Sequence, residues 1–464
     1  MNKLLTLALL FIATSLFAQD ISGPWYGQLV FPGGKLRINL NITKTEAGYT
    51  ATMDSPDQGA NGIPVPTIAF EKNLLAFGIP QGGISFKGTL ENDVIKGNFS
   101  QNGNDLPLEL SRKEIVVEKA KRPQEPVKPY PYYEEEVTFK NDKAGITLAG
   151  TLTLPKKEGN YPVVILISGS GPQNRDEELL GHKPFLILSD YLTRKGIGVL
   201  RYDDRGTASS TGNFGKGTTQ DFATDAEAAL AYLKTRKEVN KKKIGLIGHS
   251  EGGIIAPIVA NANPDVAYIV LLAGTAIPGD ELLLLQQFLI GKANGMPEDE
   301  LNKLGAINKK VYDAVKQETD PALIKKKATD IYTAELKPIL ISKGIPQDQL
   351  GPYIENQAAE IASPWFSNFM RYNPYPALEQ VKCPILALNG EKDLQVPPTA
   401  NLDAIKRAAA KSGNKKVVTK QLPNLNHLFQ NSTTGSPQEY SDIEETFAPS
   451  ALAEISNWIL QQVK

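Results

Sequence analysis

Cysteine is almost missing from this chain: Cys383 stands alone among 464 residues. No disulfide can therefore form within it, whatever compartment it works in. Its neighbours read as a buried strand, where a lone thiol packs as a small apolar group. An excess of one charge is missing too, since 50 lysines and arginines against 51 acids leave a net charge of −1. That balance offers no field to hold nucleic acid or an anionic membrane. The short basic runs at 241–243 and 325–327 read as solvated helix ends. Beyond the N-terminus no apolar run is long enough to span a bilayer. The one early run reads differently: Lys3, apolar residues 4–12, then Ser15-Leu16-Phe17-Ala18 have the pattern of a secretory signal over 1–18. The expectation is a protein exported to the periplasm or beyond, free of the membrane once cleaved near Ala18. Histidine is scarce as well, limited to His182, His249 and His427.

What is present divides the chain. With 41% apolar and 22% charged residues it has a soluble globular composition, and its length calls for more than one core. Residues 19–113 carry short alternating runs such as Leu36-Arg37-Ile38-Asn39-Leu40, broken by glycine, asparagine and proline. Period two with frequent turns predicts a small antiparallel β domain, sandwich or barrel, with Trp25 and Tyr26 filling its core. Residues 114–133, with Pro123, Pro126, Pro129 and Pro131, read as a stiff linker. From 134 to 464 the pattern changes to alternating strands and helices. Near-continuous apolar runs at 162–168, 197–202, 243–248 and 266–273 are strands covered on both faces. Helical periodicity at 185–195, 222–237 and 254–262 lies between them, which predicts right-handed βαβ units and a mostly parallel sheet flanked by helices. A hairpin at 137–140 and 147–154 leads in. Residues 279–375 are helical throughout and are expected to form a lid before the sheet resumes at 385–388 and 416–422.

The chemistry centres on Gly248-His249-Ser250-Glu251-Gly252, between an apolar strand and an apolar helix. That is the context of a nucleophile elbow, in which a strained turn lifts the serine hydroxyl toward a helix N-terminus. A serine hydroxyl needs a base, and the base needs a carboxylate to hold its tautomer. His249 adjoins Ser250 in the turn and is expected to project elsewhere; His182 lies on the wrong side of the elbow in chain order. His427, in the loop after the last strand, remains. Asp393 follows the strand ending at Leu388 and is the expected carboxylate, with Glu391 and Asp280 as runners-up. The oxyanion of such a reaction requires backbone N–H donors, each worth roughly 3–4 kcal/mol. The expected donors are the amides of Glu251 and of Ser170, in the glycine loop Ser168-Gly169-Ser170-Gly171. Asp203-Asp204-Arg205-Gly206 reads as ion pairing that braces these loops.

Gly-Ser-Gly-Pro-Gln-Asn-Arg-Asp at 169–176, Tyr-Asp-Asp-Arg-Gly at 202–206, Gly-His-Ser-Glu-Gly-Gly at 248–253, Asn-Gly-Glu-Lys-Asp at 389–393 and Leu-Asn-His at 425–427 go further. From about residue 133 to its end the chain resembles the α/β-hydrolase superfamily, in its serine-aminopeptidase-like and dienelactone-hydrolase-like branch. Within that branch it is similar to bacterial carboxylesterases with an N-terminal β domain and a helical lid. The resemblance implies an α/β-hydrolase fold and hydrolysis of small acyl esters, with Ser250, Asp393 and His427 in the matching positions. Thr207-Ala208-Ser209 departs from it, since relatives often have glycine at 208.

The expected activity is therefore that of a serine carboxylesterase working through an acyl-enzyme, with a small-molecule ester as partner and no metal or cofactor. Trp365, Phe366 and Phe369 are candidate lining for its apolar pocket. A serine peptidase uses the same triad but needs an acidic grip on an amino terminus. Glu444-Glu445 lies near the closing helix and Glu177-Glu178 reads as an ordinary helix start. A glycan-binding protein without catalysis is the third class, and an intact Ser, Asp and His set argues against it.

Overall fold

The computed structural model describes residues 20–464 except 32–33, 47, 59, 81–82, 102–103, 116–120 and 346. The expected signal over 1–18 lies outside the described residues. The chain divides into two compact units, residues 1–118 and 119–464.

The first unit is a single nine-stranded antiparallel sheet. Its strands are β1 (Gly23–Phe31), β2 (Gly34–Thr45), β3 (Gly48–Ser55), β4 (Ala60–Val65), β5 (Thr67–Glu71), β6 (Leu74–Ile79), β7 (Ile84–Glu91), β8 (Val94–Gln101) and β9 (Asn104–Ser111). They run in the order β4-β3-β2-β1-β9-β8-β7-β6-β5. The two outermost strands are separated in the chain by Pro66 alone, so the sheet must curl until its ends meet. The curl encloses one core, in which Trp25, Leu40, Leu75, Phe86, Ile95 and Leu110 pack together. Alternation puts them there: each strand sends every second side chain inward. Trp25 is core as expected, its indole N–H donating to the Ile21 carbonyl and its ring covered by the Arg112 guanidinium.

The second unit begins with the proline-rich stretch packed on its surface, where Arg122 donates to the carbonyls of Leu180, Ser441 and Ile443. An antiparallel hairpin, β10 (Tyr133–Asn141) and β11 (Ile146–Leu154), precedes six parallel strands. These are β12 (Tyr161–Ile167), β13 (Gly198–Tyr202), β14 (Val239–His249), β15 (Tyr268–Leu272), β16 (Ile385–Gly390) and β17 (Val417–Leu422). The sheet order is β10-β11-β13-β12-β14-β15-β16-β17, with the chain reversing direction across the sheet after β13. The helices α1 (Pro184–Arg194), α2 (Thr219–Thr235) and α3 (Gly252–Ala262) connect its first parallel strands. After β15 come α4 (Gly279–Ala293), α5 (Glu298–Gln317), α6 (Pro321–Ile331), one π-helical turn (Tyr332–Leu336), α7 (Lys337–Ser342), α8 (Gln347–Ile361), α9 (Pro364–Arg371) and α10 (Tyr375–Leu378). The sheet closes with α11 (Pro398–Ser412) and α12 (Pro449–Gln462).

Both faces of the sheet are covered, which is why its strands read as unbroken apolar runs. Val163, Ile165 and Ile167 of β12 join a core with Phe222, Leu230, Ile255 and Ile405 from α2, α3 and α11. Val164 and Leu166 point the other way, against Leu188 and Leu192 of α1 and Ile455 and Ile459 of α12. Fully burying each such side chain is worth roughly 1.5–3 kcal/mol. The helices from α5 to α9 have a core of their own around Val311, Val315, Ile324, Ile354 and Ala358. Cys383 corrects the reading of its position: it lies ahead of β16, half-buried rather than in the strand. Burial still pushes its thiol up to about 11, so it stays protonated and unreactive.

Candidate active site

Only Ser250 and Glu251 separate β14 from α3. To turn that sharply, Ser250 takes a φ of +53°, a region disfavoured by any Cβ. Its amide donates to the Leu272 carbonyl at 2.9 Å and its carbonyl accepts from Gly253 at 3.0 Å, which fixes the strained conformation. The motif glycines are required sterically. A Cβ at 248 would sit inside contact distance of the Gly252 carbonyl, and one at 252 would press on the carbonyls of Ile167 and Ser168. The amides of Glu251 and Ser170 find no acceptor among the described residues.

His427 leaves the loop after β17 with Nδ1 2.9 Å from Asp393 Oδ2. Asp393 is buried, and its other oxygen accepts the amides of Gln395 at 2.9 Å and Val396 at 2.8 Å. A carboxylate held this way demands a proton on Nδ1, which leaves the Nε2 lone pair of a neutral ring as the basic site. The runners-up are engaged elsewhere: Asp280 pairs with Lys316, and Glu391 accepts the Asn424 amide. Ser250, His427 and Ser170 line one cavity of about 220 Å³, walled by Leu282 and Leu283 of α4 and by Trp365 and Phe369 of α9. The Ser250 hydroxyl makes no hydrogen bond to a described residue, so the serine and the imidazole share the cavity without being bonded to each other.

Residues 185–366 match the serine aminopeptidase S33 family. That span runs from the first crossover helix to α9 and contains the elbow. Over that span the second unit is similar to that family. Among curated proteins the chain is similar to esterase EstD of Thermotoga maritima, 31% identical over 221 residues, 44% of this chain and 51% of that one. It is also similar to the uncharacterized protein PA2218 of Pseudomonas aeruginosa, 32% identical over 114 residues, 24% of this chain and 29% of the other. The chain thus spans about half or less of the curated relatives it matches. Among solved structures, the esterase Pf2001 of Pyrococcus furiosus aligns at 14% identity over 75% of this chain and 100% of its own, with a TM-score of 0.43. Est1E of Butyrivibrio proteoclasticus aligns at 17% identity over 71% and 98%, with a TM-score of 0.40.

Several residues around the cavity differ from the sequence reading. Phe366 does not line it. Successive residues of a helix point about 100° apart, so Trp365 and Phe369 share a face, their rings stacked at 5.4 Å, while Phe366 turns toward Tyr312. Phe366 lines a separate cavity of about 380 Å³ inside the helical segment, with Asn308 and Tyr332. Glu177 starts no helix: it has a φ of +51°, α1 begins only at Pro184, and its side chain is turned inward. His249 projects not away but into the cavity wall, bonded to Glu177. The Asp203–Arg205 segment does brace the loops, though through other partners. Asp203 pairs with Arg175, Arg205 with Asp225, and Asp204 accepts from Ser168 Oγ and the Gln173 amide. His182 is buried between Thr446, Tyr440 and Gln430, and burial moves its pKa down.

Glu251 has a second role that the motif concealed. Its buried carboxylate accepts the Trp365 indole N–H at 2.9 and 3.0 Å and the Thr219 hydroxyl at 2.6 Å. Thr219 stands in place because a capping box between Thr218 and Asp221 starts α2 there. Burial raises the Glu251 pKa against these bonds and one from Ser170. One carboxyl thus ties the elbow to the helical segment and orients the tryptophan that walls the cavity.

Proposed function

We propose that this chain is an exported serine carboxylesterase that hydrolyses small, uncharged acyl esters through an acyl-enzyme. Nε2 of His427 takes the proton as Ser250 Oγ attacks the ester carbonyl. Asp393 stabilises the imidazolium, and the amides of Glu251 and Ser170 receive the oxyanion. The imidazolium protonates the departing alcohol; water then attacks the acyl-Ser250, deprotonated by the same ring, and the free acid leaves. Ser250 and His427 must close to hydrogen-bond distance when substrate arrives, and such contacts are commonly long in ligand-free enzymes. The segment between β15 and β16 acts as the lid, since α4 and α9 supply the apolar walls.

The observation that carries this reading is the meeting of a strained serine and an aspartate-bound histidine at one cavity beside two amides without acceptors. The similarity to a curated protein named as an esterase supports it. A serine peptidase is the second reading, favoured by the matched family's description. Against it, among the described residues the cavity lining has no lysine or arginine, and its one acidic residue, Glu177, is already bonded to His249 and Gly169. Among the described lining residues that leaves no free carboxylate to grip an ammonium group.

Turnover of p-nitrophenyl acetate and butyrate is the test, beside alanyl p-nitroanilide. The esters should be hydrolysed and Ser250→Ala should lose at least about 10³-fold in kcat, up to about 10⁶-fold. Ester turnover surviving in that variant, or turnover of the anilide alone, would overturn the proposal.

A further inference from the structure

Glu177 and His249 take no step in that mechanism, yet they touch both sides of it. Glu177 Oε1 accepts the Gly169 amide at 2.8 Å and lies 2.9 Å from His249 Nδ1. The opposite ring nitrogen, Nε2, lies 3.1 Å from the backbone carbonyl of His427. A continuous line therefore runs from the loop holding Ser170, through two buried side chains, to the loop holding the base. The two imidazole rings are 4.8 Å apart. The nucleophile packs on the same cluster: a Cβ at Gly169 would be 3.1 Å from Ser250 Cβ and 3.6 Å from His249 Nδ1.

Both partners of the His249 ring are oxygen acceptors, a carboxylate and a carbonyl. A ring that bonds both must donate from both nitrogens, which only the imidazolium does. Burial opposes that charge, while the Glu177 carboxylate and its hydrogen bond favour it more, and the His249 pKa moves up. A buried ion pair is a poor device for stability, because an apolar pair of similar volume does as well or better. Glu177 also holds a left-handed backbone conformation to reach its place. Strain and buried charge kept together beside reacting groups mark a functional constraint.

We propose that Glu177 and His249 form a positioning pair that sets the spacing between the oxyanion loop at Gly169–Ser170 and the loop of His427. The proposal rests on the esterase reading above. The pair acts through backbone, so it governs the geometry met in the transition state and not the apolar grip on substrate. Loosening it lets the oxyanion donors and the base drift by a fraction of an ångström to an ångström, and misplacements of that size cost up to ~10²-fold in rate.

The test compares Glu177→Gln, His249→Asn and the double variant, with kcat and KM for p-nitrophenyl acetate per site titrated by a fluorophosphonate. Titration counts only folded, competent sites. Each single variant should lose about 10- to 100-fold in kcat with KM within about twofold. The double variant should be no worse than the poorer single, because both changes break one link. Wild-type kcat in the single variants, or additive losses in the double, overturns the pair. Should the double variant not fold, Glu177→Asp takes its place: it keeps the charge, falls one methylene short, and must also lose kcat, and a wild-type value there overturns the proposal equally. A wild type that neither turns over ester nor reacts at Ser250 would instead sink the esterase reading itself.

Discussion

Replacing Asp393 by asparagine separates the two things its carboxylate does. Oδ1 serves the amides of Gln395 and Val396, and Oδ2 serves His427 Nδ1 with a longer contact to Asn389 Nδ2 at 3.3 Å. Asparagine has one oxygen, and two amides, the buried one of Val396 and the half-buried one of Gln395, compete for it against one imidazole N–H. Leaving a buried donor without a partner costs about 1–3 kcal/mol each, so the oxygen stays with the amides and the NH₂ turns toward His427. Nδ1 must then accept, the proton moves to Nε2, and the nitrogen that should deprotonate Ser250 becomes a donor. The fold survives, because the loop keeps both amide bonds, but the base is in the wrong tautomer. A triad locked in this way loses on the order of 10⁴ in kcat, about 5.4 kcal/mol in the barrier. Steady-state turnover of p-nitrophenyl acetate reads the loss, and KM should stay within about threefold because no cavity wall moves. Asp393→Ala is the control: it strips the amides as well, and should lower unfolding free energy by about 2–6 kcal/mol on top of the lost rate. A kcat within tenfold of wild type in Asp393→Asn would refute the assigned tautomer and, with it, the role given to His427.

Two further outcomes follow from the same structure. Burial pushes Asp204 up to about 8, against the bonds it accepts from Gln173 and Ser168. Its folded pKa thus lies above the ordinary value near 4, so the folded chain holds the extra proton between those limits and stability falls as pH rises through the window, by at most ~5 kcal/mol. Asp204→Asn mimics the neutral carboxyl, and in urea unfolding the advantage of wild type over this variant should shrink from pH 4 to pH 8; a difference that is flat or grows would sink the assignment. In Gly252→Ala the new Cβ meets the Ser168 carbonyl at 2.9 Å and the Ile167 carbonyl closer still. The end of β12 must then shift, lowering unfolding free energy by about 3 kcal/mol or more and kcat with it. Gly351→Ala in α8, with nothing within 4 Å, should be neutral or stabilising by up to about 1 kcal/mol, and equal effects at the two sites would contradict the elbow geometry.

What could be read without coordinates was whatever constraint is local in the chain. A strand covered on both faces needs an apolar side chain at each position, and Val163 to Ile167 say so in five letters. Gly248 and Gly252 collide with backbone only two to four residues from the serine or at the neighbouring strand's end, so their spacing is visible as a motif. Asp393 and His427 were reachable because each follows a strand of that sheet and few histidines compete. Glu177 was not, because an acid ahead of an apolar helix is also what an N-terminal turn looks like. Its inward turn depends on His249, 72 residues away, and on the Gly169 amide of the preceding loop. Phe366 failed for a related reason: spacing says that 365 and 369 share a face, but which face meets the cavity is settled only when α9 docks, through an indole that finds Glu251. Glu251 itself stood in view, a carboxyl between Ser250 and Gly252 whose only evident task was to lend its amide. Burying an unpaired carboxyl at that point disfavours folding unless donors from two other elements meet it. A charged residue placed inside an otherwise apolar strand–turn–helix is therefore the one local sign of a long-range contact that this sequence did offer.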